Sequence, residues 1–218
     1  VAVVTNISPN HLDMHRDMNE YVSAKKNIFL YQEDRDKVVL NADNEITASF
    51  AKQARGQAVL FSRNKLLDRG VCVKDGMIVD NNRPVMAVSD LKLPGAHNLE
   101  NYMAAIAAVD GLVSNETIRA FARTFQGVEH RIELVRELNG VRWYNDSIAS
   151  SPTRTIAGLR SFPDRVILIA GGYDKKIPYD ILGPEITAHV KELNLTGATS
   201  DKIQAATLAV PGYQPGHP

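Results

Sequence analysis

Residues 141–175 contain the clearest secondary-structure pattern of the chain, and they read VRWYNDSIASSPTRTIAGLRSFPDRVILIAGGYDK. An apolar run, Val141 to Tyr144, ends in a polar turn, and a second run, Val166 to Ala170, ends in Gly171-Gly172. Between the two runs, Ser151-Pro152 is typical of a helix N-cap followed by proline at the first helical position. Strand, helix and strand in this order predict a βαβ unit of an α/β domain.

Polar side chains follow both predicted strands. In open α/β sheets, ligands bind beyond the carboxyl ends of the strands, and the N–H groups at a helix start attract anions. We therefore expect five side chains to converge at this edge: Asp146, Ser150, Tyr173, Asp174 and Lys175. The alternative is an ordinary α/β unit in which the polar loop residues only cap helices.

Composition narrows the class of protein. The chain has 218 residues, of which 44% are hydrophobic, as in a globular protein. Lysine plus arginine equals aspartate plus glutamate at 25 each, so overall charge favours neither nucleic acid nor an anionic membrane as partner. The single cysteine, Cys72, excludes an internal disulfide framework and fits a reducing cytoplasm. No apolar run approaches the roughly 18 residues of a membrane span. We expect a cytoplasmic protein.

The first half of the chain alternates strand and helix patterns. Strands are predicted at 1–4, 37–40 and 58–61, and helices at 19–31, from the Asp43 region to about Gln53, at 99–109 and at 115–125. This alternation predicts a parallel sheet. After Gly70, the turn pairs Asp75-Gly76 and Asn81-Asn82 interrupt apolar residues, which predicts a small antiparallel excursion. The chain opens on a strand-like run at Val1, and we expect it to be a piece of a longer protein.

Three candidate groups lie in this half. His11, Asp13 and His15 alternate in a polar loop after the first strand, a spacing that suits metal ligands or a solvated loop. The helix at 19–31 carries lysines at 25 and 26, with its apolar face assigned to Tyr21, Ala24, Ile28 and Phe29.

Asn98 and Asn101 have the spacing to face one bound group, such as an adenine edge, although Asn98 alone is equally typical of a helix cap.

The second half follows a predicted domain joint at 127–131. Asn139-Gly140 between two apolar runs predicts a hairpin, which leads into residues 141–175. Helices are predicted near 181–191 and from about Ser200.

Six segments in this order resemble the Mur ligase family of cell-wall synthesis. They span nearly the whole chain and thin out after about Leu195. The segments are TNISPNHLDMH at 5–15, YVSAKKNIF at 21–29, LPGAHNLEN at 93–101, GVEHRIE at 127–133, NDSIASSP at 145–152 and GGYDK at 171–175.

The resemblance implies a fold and a reaction. It implies a partial central ATP-binding domain at 1–128 and a partial, Rossmann-like carboxyl-terminal ligase domain at 129–218. The implied chemistry is ATP- and Mg²⁺-dependent amide synthesis through an acyl phosphate. The motifs favour D-glutamate and UDP-N-acetylmuramoyl-L-alanine as substrates. We also expect a monomeric parent protein. No GxxxxGK[ST] loop occurs in the sequence, so the phosphate loop is expected upstream and residues 1–218 alone are expected to be inactive.

The resemblance also assigns roles to residues. It implies that His11 binds magnesium and that Lys25, rather than Lys26, is carbamylated and supplies oxygen ligands to the metal. It assigns the nucleotide to Asn98, Asn101, Arg131 and Asp146, and it assigns the amino-acid substrate to Lys175 and Ser150. Ile148 replaces a lysine that many relatives carry after the NDS turn, and Ser150 replaces a threonine, which bears on amino-acid selectivity.

Three alternatives stay open. A folylpolyglutamate synthase or another Mur ligase shares the ATPase core, although the NDS turn and GGYDK favour the D-glutamate enzyme. A non-catalytic nucleotide-binding fragment fits the missing phosphate loop. A metal hydrolase built on His11, Asp13 and His15 needs more ligands than the sequence offers.

Overall fold

The computed structural model describes residues 1–10, 12–93, 95–213 and 216. The chain divides into two compact units. The first comprises Val1–Ser8 and Asp17–Gln126, and the second comprises Pro9–Arg16 and Gly127–Pro218. None of the helices in these described ranges has the length and apolarity needed to cross a membrane.

The first unit is built on a six-stranded sheet. The strands are β1 Ala2–Val4, β2 Lys37–Asn41, β3 Gln57–Ser62, β4 Val71–Lys74, β5 Met77–Asp80 and β6 Arg83–Ala87. They lie side by side in the order β1-β2-β3-β4-β5-β6. The pairs β1–β2, β2–β3 and β3–β4 are parallel, whereas β4–β5 and β5–β6 are antiparallel. The helices are α1 Met18–Leu30, α2 Glu45–Ser49, α3 Ala96–Val109 and α4 Asn115–Thr124, with 3₁₀ turns at Phe50–Lys52 and Val88–Asp90.

Helices cover both faces of this sheet. Val38 and Leu40 of β2 pack into one buried cluster with Tyr21 and Phe29 of α1. Val39 points to the opposite face and joins a second cluster that includes α3 residues such as Met103. Burial on both faces explains why residues 38–40 of β2 are all apolar.

The antiparallel excursion is confirmed. Asp75 and Gly76 have φ of 49° and 73°, and Asn81 and Asn82 have φ of 48° and 62°, as two-residue hairpin turns require. Each turn therefore uses residues that tolerate the left-handed region.

Several details of the helices differ from the sequence predictions. Ala24 and Ile28 of α1 are exposed, so the predicted apolar face is only half right, because the buried side runs through Tyr21 and Phe29. Within the predicted Asp43 region, the residue that caps α2 is Asn44. The Asp43 carboxylate instead accepts bonds from the Ser62 hydroxyl and from the N–H groups of residues 63 and 64.

The described part of the second unit contains two small sheets and three helices. The elements are β7 Glu133–Leu138, β8 Val141–Asn145, α5 Pro152–Leu159, β9 Val166–Gly171, α6 Leu182–His189, β10 Val190–Thr196 and α7 Ser200–Leu208. β7 and β8 form an antiparallel hairpin, and β9 pairs with β10 in parallel across helix α6. Buried residues from the three helices pack against one face of β9 and β10.

The hairpin turn at Asn139-Gly140 is confirmed, with φ of 53° and 78°. The predicted βαβ unit is wrong in its pairing. The partner of β8 is β7, and the unit with two parallel strands is β9–α6–β10. The predicted helix at 181–191 ends at His189, because Val190 already pairs with Val166 of β9.

Candidate functional site

The loop that follows β9 carries the best-defined polar contact of the predicted site. Nζ of Lys175 donates a hydrogen bond of 2.9 Å to Oγ of Ser150. Ser150 directly precedes Ser151, the N-cap of α5, where Pro152 occupies the first helical turn as predicted. The structure therefore joins a strand-end lysine to a helix-start hydroxyl, and both groups are accessible to a polar ligand.

The other members of the predicted convergence have different surroundings. Asp174 accepts a 2.6 Å bond from Nζ of Lys202 and a 2.9 Å bond from the N–H of Lys176. Tyr173 is 74% exposed. The predicted convergence is confirmed for Ser150 and Lys175, whereas Asp174 is bound to α7.

Asp146 connects the end of the hairpin to the segment that carries Arg131. Its Oδ1 accepts a 3.2 Å bond from the N–H of Ile132, a β-branched residue held at φ 46°. Burial raises the pKa of Asp146, while that N–H bond and the positive charges of Arg131 and Arg154 oppose the rise. The structure thus brings Asp146 and Arg131, both predicted to contact nucleotide, into electrostatic contact.

Gly158 of α5 lies against this carboxylate. A Cβ at position 158 would be 2.8 Å from Oδ2 of Asp146, closer than real Cβ contacts allow. The absent side chain is what lets Asp146 sit against the helix.

Asn98 and Asn101 both lie within α3, which starts at Ala96. Asn98 is the third residue of the helix, so it is not the N-cap residue; Gly95 at φ 100° is the N-cap. A separation of three residues puts the two amides on one helix face. Glu100 lies between them and accepts a 3.2 Å bond from Nε of Arg63.

Lys25 is exposed on α1, with its Nζ 5.3 Å from the centre of the Tyr21 ring. Nζ of its neighbour Lys26 lies 5.3 Å from the centre of the Phe50 ring. His11 lies outside the described residues. Among the residues that are described, no group of three or more histidine, cysteine, aspartate or glutamate side chains forms a metal site. A lysine ammonium is itself a cation and does not fit Mg²⁺, whereas a carbamate on the same nitrogen would supply oxygen ligands.

A family model described as the Mur ligase middle domain matches residues 1–109. The chain belongs to the Mur ligase family. This confirms the resemblance inferred from the six sequence segments.

Curated Mur ligases match nearly the whole chain. It is 61% identical over 208 residues to the UDP-N-acetylmuramoylalanine--D-glutamate ligase of Acetivibrio thermocellus, covering 94% of this chain and 45% of that protein. It is 56% identical over 207 residues to the ligase of the same name from Clostridium kluyveri, with the same coverage of 94% and 45%. The chain therefore spans less than half the length of these relatives.

Solved Mur ligase structures share the fold at low identity. MurC from Thermotoga maritima matches with a TM-score of 0.68 and 19% identity, covering 96% of this chain and 49% of that one. MurF from Acinetobacter baumannii matches with a TM-score of 0.67 and 16% identity, covering 98% and 54%. These neighbours confirm the α/β fold class.

Two features of this Mur ligase chain were missed by sequence reasoning. Lys202 reaches Asp174 across 28 residues of sequence, and Gly158 makes room for Asp146. The local sequence around Lys202 and Gly158 does not identify these distant partners. A glycine within a helix often has a packing reason, so Gly158 could have been singled out, although its partner Asp146 could not.

Proposed function

We propose that the protein containing this chain is an ATP-dependent ligase that joins D-glutamate to UDP-N-acetylmuramoyl-L-alanine through an acyl phosphate. The observation that carries this proposal is the identity of 61% and 56% to two ligases of that name across 94% of the chain. Residues 1–128 would be part of the ATP-binding domain and residues 129–218 part of the ligase domain. The parent would be a cytoplasmic monomer with no nucleic-acid or membrane partner.

Lys175 and Ser150 would bind the amino-acid substrate. The Lys175 ammonium is held by a neutral hydroxyl, so its positive charge is available to a substrate carboxylate. A hydrogen bond to a charged group contributes about 1.5–3 kcal/mol. The Ser150 hydroxyl would then fix the direction of the ammonium and offer a second hydrogen bond.

Asn98 and Asn101 would bind the adenine of ATP. Each amide both donates and accepts, which matches the donor and acceptor on an adenine edge. Their placement on one face of α3 supports this role, and the Arg63–Glu100 ion pair would steady the helix turn that carries them. In the second unit, Arg131 would contact phosphate and Asp146 would accept a hydrogen bond from the nucleotide.

Mg²⁺ would be held by His11 and by a carbamate on Lys25. When bound, the metal would neutralise charge on the phosphates during acyl phosphate formation. Lys25 is exposed and therefore open to CO₂. The contribution of this chain is to place that nitrogen on the rigid helix α1.

The proposal is tested by measuring ADP release in the full-length protein that contains these residues. Release should require ATP, UDP-N-acetylmuramoyl-L-alanine and D-glutamate together, and mass spectrometry should detect the amide product. Residues 1–218 alone should release no ADP, and calorimetry should find ATP binding no tighter than roughly 1 mM, about 4 kcal/mol. ATP turnover without the two substrates, or no turnover with them, would contradict the proposal.

A further inference from the structure

Two glycine turns pack backbone against backbone at the carboxyl ends of β9 and β10. Gly171 has φ 141°, and a Cβ there would lie 1.5 Å from the carbonyl oxygen of Thr196. Gly197 has φ 76°, and a Cβ there would lie 2.8 Å from the amide nitrogen of Gly172. Both positions need glycine for the backbones to approach so closely. This packing fixes the start of α7 beside the loop of residues 172–176, which we call the strand-end loop.

One ion pair links α7 to the strand-end loop. Nζ of Lys202, the third residue of α7, donates to Oδ2 of Asp174 at 2.6 Å. Oδ1 of the same carboxylate accepts the N–H of Lys176 at 2.9 Å. Lys176 has φ 54°, a conformation that costs energy for a residue with a side chain, so this bond supports a strained backbone. The Lys202 bond holds the pKa of Asp174 below its usual value, so the carboxylate stays charged at neutral pH.

Lys175 lies between Asp174 and Lys176, the two residues that the bond from the Lys176 N–H to the Asp174 carboxylate joins. Its backbone is bounded by Asp174 on one side and by the strained Lys176 on the other, and its side chain reaches Ser150. We propose that Lys202 is a positioning residue for the amino-acid substrate, acting through Asp174 to aim Lys175. This inference rests on the proposed function, because it takes Lys175 as the group that binds the D-glutamate carboxylate.

Two measurements, the KM for D-glutamate and Tm, distinguish a positioning role of Lys202 from a structural one. Exposed ion pairs contribute little to the free energy of unfolding, and the side chain of Lys202 is 48% exposed. A purely structural Lys202 would therefore affect neither measurement much, whereas a positioning Lys202 would affect the KM for D-glutamate without moving Tm.

The first test compares three variants of the full-length enzyme. Lys202→Met should raise the KM for D-glutamate by roughly three- to tenfold, in the range of coupling between neighbouring charged groups, with the KM for ATP and Tm unchanged. Lys202→Arg keeps the positive charge and should restore most of the affinity. Lys191→Met is the matched control, since Lys191 is an exposed lysine of β10. A Lys202→Met enzyme that matches the Lys191→Met enzyme would overturn the inference.

The second test asks whether Lys202 acts through Lys175. The Lys175→Ala/Lys202→Met double variant should have the same KM for D-glutamate as Lys175→Ala alone, because the group that Lys202 aims is gone. Additive effects would show that Lys202 acts independently and would overturn the positioning role. If Lys175→Ala itself leaves this KM unchanged, the proposed substrate contact fails and the inference fails with it. If only the Lys202 variants lack an effect, the proposed function stands and the inference alone fails.

Discussion

The ammonium group of Lys175 donates a 2.9 Å hydrogen bond to the hydroxyl of Ser150, which lies 25 residues earlier in the chain. The bond spans from the loop after β9 to the residue before the N-cap of α5. It joins the two residues that the family resemblance assigns to the amino-acid substrate.

Lys175→Ala in the full-length enzyme should raise the KM for D-glutamate by roughly one to two orders of magnitude. The reason is the loss of a charge-assisted hydrogen bond worth about 1.5–3 kcal/mol, at 1.4 kcal/mol per decade. The KM for ATP should change little. Steady-state kinetics with Lys191→Ala as the control measures both. An equal rise in the KM for ATP would show that Lys175 is not specific to the D-glutamate site.

Gly158→Ala should weaken nucleotide binding without destabilising the fold. The added methyl group would lie 2.8 Å from Oδ2 of Asp146, and that carboxylate is the flexible end of a side chain that can move away. Alanine also favours the helix by about 1 kcal/mol over glycine. The KM for ATP should rise roughly three- to tenfold as Asp146 is displaced, with Tm equal or higher. A lower Tm together with equal losses for all substrates would indicate general damage instead.

Lys25→Ala should abolish turnover, and short carboxylic acids should partly restore it. The physical reason is that the proposed carbamate supplies oxygen ligands, which a soluble carboxylate can replace. Lys26→Ala is the matched control, because Lys26 is the adjacent lysine and contacts the ring of Phe50. Activity assays of both variants, with and without added acetate, measure the loss and its restoration. Wild-type activity in Lys25→Ala would contradict the proposed carbamate on Lys25.

Stability of the first unit should depend on pH through Asp80. Burial and the neighbouring Asp110 carboxylate raise the pKa of Asp80 from 3.8 to about 6, against the opposing charges of Lys37 and Arg83. The folded state therefore binds a proton more tightly than the unfolded state does. The stabilisation is complete below about pH 4 and is lost as the pH rises through about 6.

The loss should amount to roughly 1 kcal/mol between pH 4 and pH 7, less than the full shift implies because Asp80 is only half-buried. Denaturant unfolding at both pH values measures it. Asp80→Asn should remove this part of the pH dependence. Asp75→Asn, an exposed aspartate in a hairpin turn, is the control and should leave the dependence intact. A pH profile that is identical in Asp80→Asn and wild type would contradict the assignment.

Local sequence patterns predicted the parts of the fold that local physics controls. Asp75-Gly76 and Asn139-Gly140 were identified as hairpin turns because few residues tolerate positive φ, and both turns have it. The N-cap at Ser151 followed from the preference of proline for the first helical turn. Strand pairing was not predictable in this way, because the apolar run of β9 does not reveal whether β8 or β10 lies beside it.

In the candidate site, too, some residues are predictable from local sequence and others depend on tertiary packing. Lys175 and Ser150 were found because strand ends and helix starts collect ligand-binding groups. Lys202 and Gly158 were not found, because their roles depend on residues that only tertiary packing brings near, namely Asp174 and Asp146. The exposure of Ala24 and Ile28 has the same origin, since the position of the sheet decides which side of α1 is buried.

Amino-acid selectivity of the full-length enzyme is the sharpest test of the proposed D-glutamate ligase function. The measurement is ADP release with ATP and UDP-N-acetylmuramoyl-L-alanine, in the presence of D-glutamate, L-glutamate, D-aspartate, L-lysine, glycine or D-alanyl-D-alanine. The account predicts rapid release with D-glutamate and release at least roughly tenfold slower with each of the others, since a lost charged hydrogen bond costs at least that factor. Faster release with L-lysine or D-alanyl-D-alanine than with D-glutamate would contradict it.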